Sequence, residues 1–453
     1  MKEKTMNTPV YDYILSYAGS GMLRMHMPGH KGKTFDNLLS DIYRLDLTEI
    51  TGAGNLFEYE GIIYESEKNA AELFGTKGTF YSTQGSTLCI QTMLALMKRE
   101  NRRVFAVRNA HRAFLSSCAL LDIEPVWIYP EYSDTIISGK INLSDVRKSL
   151  EMNPHSCLYV TSPDYLGAMA DIKSLAEICH RYDSVLLVDN AHGACLPFYS
   201  ENRHPVHLGA DLCCDSAHKM LPALTGAAYL HTGNERYASQ IKDAMLMFAS
   251  TSPSYLITCS LDLCNRYLAG EIREELVRAE KRMAKLRSSA AEKYSLGCPA
   301  FDLEPLHFTI NAEKTGVSGR YLAEKLRENG IEYEFADDTY IVLLFSPADG
   351  YEAYRKTAGV LESIEFKPEI HEKPRIVFPH PEKVLSIREA LLSEYEEVSS
   401  ECAEGRICAG INVPCPPAVP IAVSGERISG ETVRTLVHYG ISTVRVVKNR
   451  KWN

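Results

Sequence analysis

The feature that most constrains this 453-residue chain is an alternation of short apolar runs with polar, helix-compatible stretches between about Arg102 and His231. Such alternation predicts βα units that feed a mostly parallel sheet. Five runs qualify as buried strands: Val104 to Val107, Pro125 to Tyr129, Cys157 to Val160, Val185 to Val188 and Ala227 to Leu230. Each is brief, apolar and largely β-branched or aromatic, as strands covered on both faces must be. Polar segments follow three of them: Arg108-Asn109-Ala110-His111, Thr161-Ser162-Pro163-Asp164 and Asp189-Asn190-Ala191-His192. In open α/β sheets ligands collect beyond the carboxyl ends of strands, so these tips are expected to share one crevice.

The flanking sequence divides the chain. Residues 1–50 read as an N-terminal arm, 51–295 as a large domain and 296–453 as a smaller α+β domain. A long charge-laced stretch from Ser260 to Tyr294, apolar at intervals of three and four, predicts the helical arm that leaves the large domain. Gly297-Cys298-Pro299 marks the boundary, a helix is expected near Ser318 to Asn329, and the prolines between Pro414 and Pro420 predict an extended loop. Hydrophobic residues make up 45% and charged residues 24%, the balance of a soluble globular protein. A formal net charge of −9 disfavours nucleic acid and anionic lipid as partners. Met1 to Ser20 contains no long apolar stretch, so neither a signal peptide nor a membrane span is expected and the chain reads as cytoplasmic. None of the 13 cysteines forms a Cys-x-x-Cys pair, and Cys89, Cys157, Cys213 and Cys259 sit among apolar residues. They read as core thiols of a reducing compartment, with no metal site expected.

The chemistry centres on Ser216-Ala217-His218-Lys219, followed by Met220-Leu221-Pro222. A lysine held away from water has a depressed amine pKa and can condense with an aldehyde as a Schiff base. Ser216 and His218 would then stand ready to donate to the phosphate of such a cofactor; the alternative is an ordinary surface lysine. Asp189 ends an apolar run, where a carboxylate needs a cationic partner. A protonated pyridine nitrogen would be one, and a ring kept cationic accepts electrons from a carbanion; otherwise Asp189 caps a helix beginning near Ala191. His111 could stack on that ring or serve as a capping or core histidine, and His192 could approach the same crevice or be structural. Gly85, Ser86 and Thr87, preceding an apolar helix from Leu88 to Met97, could offer a helix N-terminus to a phosphate, or form a plain N-cap. The hydroxyl cluster from Ser250 to Ser254 could reach a phosphate, even across a subunit interface, or merely end one helix and begin the next.

Taken in order, His26-Met27-Pro28-Gly29-His30-Lys31-Gly32, Asp46-Leu47-Thr48-Glu49, Gly85-Ser86-Thr87, Arg108-Asn109-Ala110-His111, Asp189-Asn190-Ala191-His192-Gly193-Ala194, Ser216-Ala217-His218-Lys219 and Ser250-Thr251-Ser252-Pro253 resemble the ornithine/lysine/arginine decarboxylases. The resemblance runs over most of the chain. It implies an α/β fold of the pyridoxal-phosphate-dependent type I, and decarboxylation of arginine, lysine or ornithine to an amine used in polyamine metabolism. It also implies that Lys219 carries pyridoxal 5′-phosphate as an imine, that Asp189 pairs with the pyridine nitrogen and that His111 stacks on the ring. Ser86, Thr87, Ser216 and His218 would hold the phosphate, with Ser252 reaching from a neighbouring subunit of a homodimer or larger homo-oligomer. The larger members begin with a wing domain that has no counterpart here, so a short form and an assembly smaller than a decamer are expected. Gly52-Ala53-Gly54-Asn55-Leu56-Phe57 replaces the family's acidic pair, and Cys415-Pro416-Pro417-Ala418 stands where an aromatic-Pro-Pro-Gly is usual. Both departures leave the choice of amino acid open. The alternatives are other chemistry on the same scaffold, such as transamination, or a non-catalytic regulatory homologue.

Overall fold

A computed structural model describes residues 6–34, 39–132, 135–270, 272–294, 302–312, 316–365, 380–410 and 419–448. The expected boundary at Gly297-Cys298-Pro299 and the departure at Cys415-Pro416-Pro417-Ala418 lie outside the described residues. The chain forms two compact units, residues 1–100 with 185–278 and residues 101–184 with 279–453.

In the first unit, strand Val185–Asp189 pairs in parallel with Leu212–Asp215, placing Asp189 opposite Cys214. Leu212–Asp215 pairs antiparallel with Ala228–Thr232, which pairs antiparallel with Gly78–Ser82. Every residue of these four strands is buried, which explains why their sequences do not alternate polar with apolar. Helix Gly85–Arg99 packs on them. It buries Leu88, Cys89, Ile90, Met93, Leu94, Leu96 and Met97, so it is apolar nearly all round, as a helix sunk in a core must be. Each such Leu or Met side chain contributes roughly 1.5–3 kcal/mol by leaving water.

In the second unit, Arg103–Val107 pairs in parallel with both Ser156–Thr161 and Val126–Ile128. A separate antiparallel sheet joins His307–Asn311, Tyr340–Leu344 and Phe335–Ala336, and Tyr395–Ser399 pairs with Thr443–Val447. A core built from Ile136, Leu166, Tyr340, Val342, Ile421, Leu436 and Val446, among others, backs these elements. The fold is thus mixed α/β with a mostly parallel sheet, as expected.

Three local expectations shift. Strands Gly78–Ser82 and Leu212–Asp215 add to the five nominated runs. The helical stretch expected from Ser260 to Tyr294 is two helices, Tyr255–Ala269 and Ile272–Tyr294, with Gly270 at the break, where a residue without a side chain costs a helix about 1 kcal/mol. No helix begins at Ala191; the backbone turns there and reaches a short 3₁₀ turn at Leu196–Phe198. Among the described residues, no helix is long and apolar enough to cross a membrane.

Candidate active site

The Ser216–Lys219 segment leaves the end of strand Leu212–Asp215 and enters a single turn of helix, Ala217–Met220. The Lys219 amide donates to the Ser216 carbonyl at 3.0 Å and the Leu221 amide to the Ala217 carbonyl at 2.8 Å. His218 is tied down through its ring: Nδ1 donates to the Ala227 carbonyl at 2.9 Å, which fixes the proton on Nδ1 and leaves Nε2 for another partner. Lys219 is half-buried, and its Nζ lies 2.9 Å from His192 Nε2, close enough for the two to share a proton.

His192 reaches that position because the chain reverses sharply after Asp189. The Asn190 amide donates to the Cys214 carbonyl, and the Gly193 amide donates back to the Asn190 carbonyl at 2.8 Å. A Cβ on Gly193 would stand 2.0 Å from Asn190 Oδ1, so only glycine closes this turn. Asp189 is 3% exposed at the strand end. Its Oδ1 accepts the Ala191 amide at 3.3 Å and the Cys214 thiol at 3.6 Å. Burial pushes the Cys214 thiol well up, with nearby Asp189 adding to the effect, so the sulfur keeps its proton and acts as the donor.

The Gly85 loop is shaped the same way. Gly85 has φ +67°, its amide donates to the Gly226 carbonyl at 2.7 Å, and a Cβ there would meet nothing within 4 Å. Helix Gly85–Arg99 begins with no side-chain cap from Gln84, while Ser82 Oγ accepts the Gln84 amide at 3.1 Å and donates to the Gly85 carbonyl at 2.8 Å. Ser86 and exposed Thr87 stand in its first turn, at the positive end of the helix. Ser216 Oγ donates to Ser86 Oγ at 3.0 Å, so the two hydroxyl segments, 130 positions apart, meet.

Two other expected residues carry roles of their own. His111, in the second unit, is the N-cap of helix Arg112–Leu121, its Nδ1 accepting the Ala113 amide at 3.1 Å. Its loop is anchored by Arg108, whose Nη2 lies 3.0 Å from Glu426 Oε2 with both side chains buried. Ser252 is exposed, its amide donating to Ser250 Oγ, while Ser254 caps helix Tyr255–Ala269 through the Ile257 amide. The same unit as His111 holds a cavity of about 560 Å³ lined by Asn109, Lys140, Thr161, Asp164, Asp171 and Asp302. Three carboxylates against one lysine favour a cationic occupant. Burial pushes the Asp164 carboxyl up to about 6, against the bonds its Oδ1 accepts from the Leu166 and Ala168 amides, both at 3.0 Å.

A half-buried lysine beside a histidine, a carboxylate at the neighbouring strand end and a hydroxyl-bearing helix start all belong to the first unit. The family described as "Orn/Lys/Arg decarboxylase, major domain" matches residues 8–303. The chain belongs to the Orn/Lys/Arg decarboxylase family. It is 29% identical to an arginine decarboxylase of Bacillus subtilis (strain 168) over 94% of this chain and 92% of that one. The fold matches E. coli constitutive lysine decarboxylase with a TM-score of 0.82 at 18% identity, covering 98% of this chain and 82% of the other. It also matches a structure of SPT with PLP, with a TM-score of 0.53 at 14% identity over 66% of this chain and 75% of that one. This member of the Orn/Lys/Arg decarboxylase family is therefore an amino-acid decarboxylase with the type I fold.

Sequence reasoning gave His192 a lesser role, with a structural histidine as the alternative, and did not foresee its 2.9 Å approach to Lys219 Nζ or the Cys214 thiol donating to Asp189. The signal for both was present: His192 stands three positions past the strand-end acid, and Cys214 lies on the neighbouring strand opposite Asp189.

Proposed function

We propose that this decarboxylase removes the α-carboxylate of a basic amino acid (arginine, lysine or ornithine) with pyridoxal 5′-phosphate held on Lys219. The observation that carries the reading is the 2.9 Å approach of Lys219 Nζ to His192 Nε2 in the same unit as the Ser216–Ser86 hydroxyl pair. These residues suit the cofactor. Lys219 offers the amine for its aldehyde, and Ser86, Thr87, Ser216 and His218 offer hydroxyl, imidazole and helix-end donors for its phosphate. Asp189, buried at a strand end, offers a carboxylate for its ring nitrogen. When bound, the cofactor supplies an electron sink for the carbanion left as carbon dioxide departs.

The chain's own work is positioning and proton transfer. His192 accepts a proton from Lys219 Nζ, or returns one, so the amine can act as the base that frees itself and as the acid that later protonates the α-carbon. The Nδ1 bond of His218 to the Ala227 carbonyl keeps its Nε2 oriented. His111, held by its cap bond to Ala113, is proposed to lie against the cofactor ring, and Ser252 to complete the phosphate site of a second copy in a homodimer. The residue limits 1–50, 51–295 and 296–453 are kept as the proposed arm, large domain and small domain, in a cytoplasmic enzyme.

The substrate class rests on the arginine decarboxylase relative and on the family. Incubating the purified, cofactor-loaded protein with arginine, lysine and ornithine should release carbon dioxide and one of the three amines. Formation of a keto acid without carbon dioxide would place the enzyme among the transaminases instead.

A further inference from the structure

We propose that Asn190 and Asp215 are positioning residues for the proton transfer between His192 and Lys219, acting through one buried hydrogen bond that ties together the two strand ends carrying those groups. The inference rests on the reading of Lys219 and His192 given above. Strands Val185–Asp189 and Leu212–Asp215 run parallel, with Leu187 opposite Leu212, Val188 opposite Cys213 and Asp189 opposite Cys214. The backbone ladder makes one more bond, the Asn190 amide to the Cys214 carbonyl at 2.9 Å, and there the two segments part. One turns back through Gly193; the other enters the single turn of helix at Ala217. Past that point the Asn190 side chain adds a rung of its own, Nδ2 donating to Asp215 Oδ1 at 2.7 Å, with both residues fully buried. Asn190 stands between Asp189 and the His192 turn, and Asp215 directly precedes the Ser216–Lys219 segment, so the rung lies at the root of both. A weaker tie follows it, Cys195 Sγ donating to the Met220 carbonyl at 3.4 Å.

The rung is strong for its kind. Its length is at the short end of the N–H···O range, and a charged acceptor makes such a bond roughly twice as strong as a neutral one. Asp215 stays charged in the core because of its neighbours. Burial works to raise its carboxyl, yet His204 and His231 outweigh burial and hold it well below the usual carboxylate range. The carboxylate divides its work accordingly. His204 Nε2 donates to Oδ2 at 3.2 Å and His231 Nε2 lies 3.3 Å from the same oxygen, which leaves Oδ1 to Asn190 and, at 3.6 Å, to the Cys213 thiol. The buried His–Asp–His network therefore keeps an anionic acceptor at the foot of the Lys219 segment. A bond that only held the fold together would lower stability and leave proton transfer alone; one that sets the 2.9 Å separation of Lys219 Nζ from His192 Nε2 changes the transfer itself.

The test is Asn190→Ala, alone and combined with His192→Gln. In the cofactor-loaded enzyme kcat should fall about tenfold with KM held within about twofold, less than the roughly 10²-fold that a 1 Å misplacement can cost. In the His192→Gln background the same substitution should cost kcat nothing further, because the pair it positions is already broken. A second arm needs no turnover: when the cofactor-free full chain is mixed with pyridoxal 5′-phosphate, the visible absorbance should rise about tenfold more slowly in Asn190→Ala, and no more slowly in the double variant than in His192→Gln. Asn190→Ser leaves a smaller void and a hydroxyl one atom short of Asp215, and it serves in both arms if the alanine variant does not fold. Losses that multiply in the double variant, or a parent-like value in either arm, overturn the positioning role. A parent enzyme that binds cofactor but releases no carbon dioxide would refute the functional reading instead, and the absorbance arm would then decide this inference by itself.

Discussion

Replacing Lys242 with methionine should be among the most damaging single changes in the first unit that leaves the proposed cofactor residues untouched. Lys242 Nζ lies 2.6 Å from Glu67 Oε2, with both side chains buried, and donates to the Leu56 and Glu58 carbonyls at 2.8 and 2.7 Å. It thereby ties down the loop that follows Gly52 to Leu56. Methionine keeps the length but strands a buried carboxylate and two buried carbonyls. Breaking a buried pair from one side costs about 3–5 kcal/mol. At about 2–4 °C per kcal/mol for 150–250 residues, the unfolding midpoint should fall by roughly 6–20 °C. Burial already raises the Glu67 carboxyl, and the nearby Lys242 ammonium opposes that rise. Without Lys242 its folded pKa rises further above the unfolded value, so the folded state holds the proton more tightly. The loss should therefore be greatest at pH 8 and shrink as pH falls toward the unfolded carboxylate range near about 4.3. Adding Glu67→Gln removes the stranded charge while its amide oxygen can still accept the Tyr81 amide, the bond Glu67 makes at 2.9 Å. Thermal unfolding followed by circular dichroism at pH 5 and 8 reads all three proteins. A single variant within about 2 °C of the parent, or a double variant no better than the single at pH 8, would refute the reasoning.

Four further outcomes are expected. Lys219→Ala should lose the visible absorbance of the bound cofactor imine; an unchanged spectrum would move the attachment elsewhere. Asp189→Ala should retain some cofactor yet lose turnover, and full activity in that variant would remove its electronic role. His192→Gln should bind cofactor with its spectrum intact while kcat falls by about 10²-fold, the usual worth of a positioned proton-transfer group; an unchanged kcat would leave His192 structural. Asp164→Asn should stabilise the protein at pH 8 and do little at pH 4.5. A carboxyl raised to about 6 favours folding below its unfolded pKa and loses that contribution as pH climbs through 6. A lower unfolding midpoint for the variant at pH 8 would contradict it.

What could be read in advance divides by sequence distance. Strand Val185–Asp189 and the Ser216–Lys219 segment were legible, because each is a local pattern whose chemistry lies within a few residues. Leu212–Asp215 escaped because four residues with two cysteines and a terminal acid give neither alternation nor a β-branched run. The expected helix near Ala191 is absent because the backbone bonds there are successive turns, the Gly193 amide to the Asn190 carbonyl and the Leu196 amide to the Gly193 carbonyl, with no continuous helical ladder. His111 showed both faces of its ambiguity, since the same ring that could stack on a cofactor caps its own helix.

The features least visible in sequence are those made by strand register. Neither the meeting of Ser86 with Ser216 nor that of His204 with Asp215 and His231 follows any spacing rule. Both depend on how Leu212–Asp215 is set between its neighbours. That one strand ends in Asp215 on one side of the proposed chemistry and hands the chain to Lys219 on the other. A shift of one residue in its pairing would turn Cys213 and Asp215 to the opposite face and carry Ser216 away from Ser86 together.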